Sequence, residues 1–173
     1  QTRTKPLRIF SCRGVERLLK AIDEANNYRL FKQPFPVEMH EFAAAGEEFT
    51  PFTGIRCETF KTPHTRESLA LRLTNSENKT VVYSADTSFS EELAAFARGA
   101  DLFVLECSFY KQKPVQTHLN LAEAMRIAQM AEPRKLLLTH LYPEWDTIDL
   151  AAKARELWPG ETFAAHDGLR IEV

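Results

Sequence analysis

The sequence lacks an excess of positive charge, a cysteine framework and any long apolar run. Lysine and arginine number 22 against 24 acidic residues, a formal net charge of −2 over 173 residues. No global positive field is available to hold a polyanion by charge alone, which argues against tight, sequence-independent nucleic-acid binding. Three cysteines, Cys12, Cys57 and Cys107, are too few and too scattered for a disulfide scaffold or a cysteine-only zinc site. A reducing, cytoplasmic location is the expectation. No stretch approaches the ~20 apolar residues that cross a bilayer, and the start, Gln1 to Pro6, has no apolar signal core behind it. Internal repeats and low-complexity segments are absent as well. The first residue is Gln1 and not methionine, from which we expect a longer chain upstream.

What is present is the composition of one soluble globular domain, 44% hydrophobic and 27% charged. Leu7 to Phe10 predicts a short strand, and Val15, Leu18, Leu19 and Ile22 recur at helical spacing after Gly14. Residues 31–60 read as strands and loops punctuated by proline and glycine, with runs at Phe35 to Phe42 and Ile55 to Phe60. Leu69 to Leu73 and Thr80 to Tyr83 flank the polar cluster Asn75-Ser76-Glu77-Asn78 and predict an antiparallel pair.

Beyond that hairpin, apolar runs alternate with helices. Ser88 with Glu91, and Asn120 with Glu123, have capping-box spacing. A helix is expected over residues 147–158, and a final strand pair at Phe163 to Ala165 and Leu169 to Ile171. Continuous apolar runs between helices imply strands buried on both faces. The expected class is therefore α/β with mixed sheets and helices outside.

Three of the apolar runs end in a residue able to bind a metal or a proton: Asp86, Glu106 and His140. In open α/β sheets, side chains from separate strands converge just beyond the strand carboxyl ends. His64 follows the alternating run Ile55 to Phe60, and His118 immediately precedes a capped helix. Each residue alone reads as a turn, a cap or a hydrogen-bonded structural group. Together, imidazoles and carboxylates at successive strand ends are the donor set of a zinc, manganese or iron site. Glu106 would orient a neighbouring ligand. His40 reads as structural or exposed, and His166 as a turn residue. Cys107 with His118 or His140 as base is a distinct nucleophilic reading, disfavoured because a thiol at an apolar strand end is inert.

Thr62-Pro63-His64-Thr65, Val82-Tyr83-Ser84-Ala85-Asp86-Thr87, Leu105-Glu106-Cys107-Ser108-Phe109, Thr117-His118-Leu119-Asn120 and Leu136-Leu137-Leu138-Thr139-His140-Leu141 resemble, in order, the later motifs of the metallo-β-lactamase superfamily. The similarity is to its ribonuclease Z and phosphodiesterase branch. The resemblance implies an αββα sandwich, with His64 binding one metal, Asp86 bridging two and His140 binding the other. His118 matches a histidine beside the scissile phosphate, and Asp86 and His118 are the expected catalytic residues.

Two departures from the family pattern stand out. Ala85 replaces the usual glycine, which places a methyl beside the bridging carboxylate, and the family's histidine-x-histidine-x-aspartate-histidine motif is missing. The chain thus resembles the C-terminal portion of one such domain, incomplete at its N-terminus. In the complete protein the resemblance implies two cations, zinc or else manganese or iron, roughly 3.5–4 Å apart, activating water. A small phosphodiester or ester is the expected substrate. tRNA is less favoured, because Asn27 to Gly54 is neither basic nor glycine-rich. The isolated chain is expected to be inactive or weakly active, to bind metal weakly, and to self-associate or pair with an N-terminal segment. The contrasting class is a degenerate, non-catalytic module of the same fold that acts by binding or chain association.

Overall fold

The computed structural model describes residues 3–42 and 46–173 and divides into two compact units, Gln1–Glu47 and Glu48–Val173. In the first, β1 (Leu7–Cys12) pairs parallel with β2 (Val37–Phe42), and helix α1 (Val15–Asn26) connects them. Parallel neighbours need such a crossover. Phe10 stacks on His40 at 4.9 Å, so His40 serves packing within this unit.

The second unit is built on a seven-stranded sheet in sequential order. β3 (Glu48–Phe52), β4 (Ile55–Lys61), β5 (Leu69–Asn75) and β6 (Thr80–Tyr83) are antiparallel, including the expected β5–β6 hairpin. β7 (Leu102–Glu106), β8 (Lys135–Thr139) and β9 (Glu161–Ala164) then run parallel to β6. α2 (Glu91–Phe96), α3 (Leu121–Ala131) and α4 (Leu150–Leu157) link these strands. The mixed α/β class is the one expected.

The core lies where the apolar runs are longest. Val82, Phe103, Leu105, Leu136 and Leu138 on the strands pack with Leu93, Met125, Ile127 and Ala128 on the helices. Burying one such large side chain contributes about 1.5–3 kcal/mol. α3 starts at the expected capping box: Asn120 accepts from the Glu123 amide, and Glu123 from the Asn120 amide.

Three local expectations need correction. The cap of α2 is Ser90, whose Oγ accepts from the Leu93 amide, and not Ser88, which is drawn off to donate to the Pro63 carbonyl. The predicted helix over residues 147–158 is a 3₁₀ turn, Pro143–Thr147, followed by α4, whose N-cap is Asp149. Leu169 to Ile171 forms no strand, and β9 pairs with β8 rather than with a later segment. No helix among the described residues is long and apolar enough to cross a membrane.

Candidate metal centre

Parallel pairing puts the carboxyl ends of β6, β7 and β8 on one side of the sheet. Asp86, Glu106 and His140 sit at those ends, and His64 follows β4 in a loop bound to the same region. Thr62 donates its hydroxyl to the Asp86 carbonyl at 3.0 Å, and Ser88 donates both its amide and its hydroxyl to the Pro63 carbonyl. Residues far apart in sequence are thereby held together.

Asp86 faces two imidazoles with its two oxygens. Oδ2 is 3.7 Å from His64 Nε2, and Oδ1 is 3.2 Å from His140 Nε2. His118 lies between them, its ring centroid 4.7 Å from His64 and 4.9 Å from His140. Ligand atoms of His64, Asp86 and His118 all fall within 4.8 Å of one another. The five residues singled out in the sequence, His64, Asp86, Glu106, His118 and His140, thus converge. His166 lies in the segment after β9, its Nδ1 against the Asp167 carbonyl.

The hydrogen bonds set the tautomers. His64 Nδ1 is 3.0 Å from the Thr117 carbonyl, which can only accept, so Nδ1 carries the proton and Nε2 is left with its lone pair. His118 Nδ1 is 3.0 Å from Glu106 Oε1 in a buried pair. Glu106 also accepts from the Thr87 amide (2.6 Å), the Leu119 amide (3.0 Å) and the Ser108 hydroxyl (2.9 Å). Four groups directed at one carboxylate make it an acceptor on every side, so His118 donates from Nδ1 and offers Nε2. Metal-ligating histidines use this arrangement, one nitrogen donating to a carbonyl or carboxylate and the other free for a cation. A carboxylate among imidazole nitrogens fits a first-row divalent metal, and it lacks the oxygen-rich set that calcium or magnesium needs.

Two residues of the centre sit in left-handed backbone, Ala85 at φ 51° and His140 at φ 58°. Such strain in residues with a Cβ persists where the surroundings impose it, as at functional sites. At position 85 a glycine would relax it. Relief of about 1–2 kcal/mol, less the greater unfolded-state freedom of glycine, about 0.5–1 kcal/mol, leaves a small gain. Ala85→Gly is expected to raise the urea midpoint at unchanged slope, and a lowered midpoint would show that the methyl packs usefully.

Cys107 is fully buried and cannot serve as nucleophile. Burial, with smaller contributions from the Glu106 and Glu144 charges, holds its thiol well above the ordinary range, so the thiolate does not form near neutrality. Cys57 is likewise pushed up to about 11 by burial, then by Glu58. No feature of the sequence marked the Thr117 carbonyl as a partner of His64, or Phe109 and Tyr142 as ring neighbours of the imidazoles. These contacts are made by loops.

The family model described as the beta-lactamase superfamily domain matches residues 2–141. The probable metallo-hydrolase YhfI of Bacillus subtilis is 39% identical over 111 residues, which is 62% of this chain and 45% of that protein. A ribonuclease Z of Haloferax volcanii is 35% identical over 101 residues, 55% of this chain and 32% of the relative. These matches span less than half the length of either relative. The crystal structure of YhfI superimposes with a TM-score of 0.75 at 29% identity, covering 95% of this chain and 64% of that one. A diphosphatase of the PhnP family superimposes at 0.71 with 21% identity, covering 97% of this chain and 59% of that one, a likeness of fold alone.

Proposed function

This chain belongs to the metallo-β-lactamase superfamily, and from that premise we propose that it carries the later ligands and the proton donor of a metal-dependent phosphodiester hydrolase. The observation that carries this reading is the Asp86 carboxylate, one oxygen toward His64 and the other toward His140. The relatives named metallo-hydrolase and ribonuclease Z support a hydrolase. The reading takes residues 1–173 as the C-terminal portion of one such domain.

His64, Asp86 and His140 would hold the metal, with Asp86 shared. Bound there, zinc, manganese or iron supplies positive charge for the phosphoryl oxygens and acidifies a water molecule. Everything else falls to the side chains. The Thr117 carbonyl turns His64 so that Nε2 faces Asp86. Glu106 fixes His118 with Nε2 exposed to the cluster, where Nε2 would take a proton from water and pass it to the departing oxygen, the Nδ1 proton staying on the Glu106 hydrogen bond. The walls of Phe109 and Tyr142 keep His118 and His140 from turning.

A small phosphodiester suits this arrangement better than tRNA, because a net charge of −2 supplies no global positive field to hold a polyanion. The 173-residue chain by itself is expected to be weakly active at most, since its five histidines include no histidine-rich motif.

The reading is tested with metal-loaded protein and two diesters that differ in leaving group, a 4-nitrophenyl ester and an unactivated alkyl ester. Chelator dialysis should abolish hydrolysis of both, and readdition of zinc or manganese should restore it. His118→Asn should lower turnover of the alkyl ester by about 10²–10⁴-fold, the range of general acid catalysis, and that of the nitrophenyl ester far less. Equal losses on both esters would remove His118 as the proton donor. Hydrolysis that survives chelation would remove the metal.

A further inference from the structure

We propose that the pocket between Phe109 and Tyr142 seats a planar aromatic ring carried by the substrate, an inference that rests on the phosphodiesterase reading and adds a specificity subsite to it. The cavity is about 440 Å³, within the usual range for a small-molecule site. It adjoins the metal centre through shared rings. Tyr142 stacks on His140 at 5.7 Å and 22°, and Phe109 meets His118 edge-on at 6.5 Å. Phe109 and Tyr142 themselves stand 4.8 Å apart at 42°, two faces of one apolar wall. A group joined to a phosphoryl centre at His118 and His140 would therefore reach this wall directly.

The charged residues around the pocket are engaged elsewhere. Lys113 gives its ammonium to both oxygens of Glu123, at 2.7 and 2.9 Å. Glu144 accepts from the Tyr110 amide at 2.6 Å. What lines the cavity is then chiefly aromatic and pyrrolidine surface, from Phe109, Tyr142, Pro114 and Pro143, with the Gln112 amide as a polar group for a ring edge. Tyr142 is 36% exposed, a large aromatic surface open to solvent beside a candidate site. Stacking on such rings tolerates any planar heterocycle or aryl group.

The cavity on the opposite flank, beside His64, is larger, about 690 Å³, but its rings pack on residues outside the metal centre. Phe60 stacks on Phe96 at 5.1 Å, and the Arg126 guanidinium covers Phe89 at 4.7 Å. The ring seat is therefore assigned to the Tyr142 side.

The test uses three phosphodiesters with one ring-free leaving group, 2,2,2-trifluoroethanol, in which the retained group is methyl, benzyl or thymidine. The metal-loaded protein should show kcat/KM for the ring-bearing esters on the order of tenfold above the methyl ester. A higher value for benzyl than for thymidine assigns the seat to simple aryl groups, and the reverse to nucleosides. Tyr142→Ala should bring the ratio to within about twofold of unity, whereas Tyr142→Phe, which keeps the ring, should preserve it. The ratio is the readout because loosening His140 would slow all three esters alike. Phe109 is buried, so Phe109→Leu serves as the second variant and should reduce the ratio without loss of fold.

Equal rates for methyl and ring-bearing esters, or a preference that survives both Tyr142→Ala and Phe109→Leu, overturns the proposal. If none of the esters is hydrolysed, as an inactive isolated chain would leave them, the pocket is read by binding instead. Ligand-observed NMR with phenyl phosphate and methyl phosphate then decides the pocket: broadening of the phenyl resonances that is lost in Tyr142→Ala upholds it, and equal weak binding of both overturns it.

Discussion

Replacing Asp86 with alanine is expected to weaken zinc or manganese binding more than about 100-fold and to bring phosphodiester hydrolysis to background. Removing a mere outer partner of a metal site costs about 10–100-fold, and Asp86 is proposed as a ligand to both positions. Its two oxygens are the groups that His64 and His140 both face, whereas the neighbouring carboxylate, Glu106, is spent on Nδ1 of His118. The fold should survive, because the side chain is 39% exposed and the interior does not depend on it. Calorimetric titration of the wild-type chain and the variant with zinc checks this, and wild-type binding itself is expected to be weaker than nanomolar. An unchanged affinity in Asp86→Ala would mean that the cation, if bound, is held elsewhere.

The largest expected effect on stability lies one step behind the ligands, at Glu106. Its side chain is 1% exposed, and its carboxylate receives the Thr87 and Leu119 amides, the Ser108 hydroxyl and His118 Nδ1. Glu106→Ala strands all four and should cost about 3–5 kcal/mol, the range for breaking a buried charged group's contacts. Glu106→Gln should cost less, about 1–3 kcal/mol. An amide nitrogen in place of Oε2 can donate to the rotatable Ser108 hydroxyl, leaving only the Leu119 amide without an acceptor.

The same substitution separates a packing role from a positioning one. With Oε1 retained, Glu106→Gln keeps the anchor of His118, the proposed proton donor, but not its charge, so hydrolysis of the alkyl ester should fall less than in Glu106→Ala. Urea unfolding alongside turnover of that ester reads both quantities. A Glu106→Gln protein as stable as wild type would show that the Leu119 amide finds another acceptor.

Much of this molecule was legible in the chain alone, for local reasons. The apolar runs of β6, β7 and β8 exceed what an exposed strand would carry, and the Asn120–Glu123 box needs only four consecutive residues to declare a helix start. The five candidate site residues were recognisable because each stands beside such an element, and because their motifs follow a family order. Errors fell where two neighbours could do the same local job. Ser88 and Ser90 are both plausible caps, and only the Pro63 carbonyl across the loop decides between them.

Tertiary structure alone decided the chemistry of the centre. Which nitrogen of His64 and of His118 is free depends on the Thr117 carbonyl and the Glu106 carboxylate, partners 53 and 12 residues away. The sharing of Asp86 between two imidazoles follows from parallel register and from left-handed backbone at Ala85 and His140, which turn the chain just past the strand ends. A residue's type and its place on a strand are properties of a few neighbours in sequence, and short-range sterics and periodicity express them. The direction of a lone pair is set by whatever acceptor the fold brings within 3 Å, and for His64 that acceptor comes from a loop more than fifty residues away.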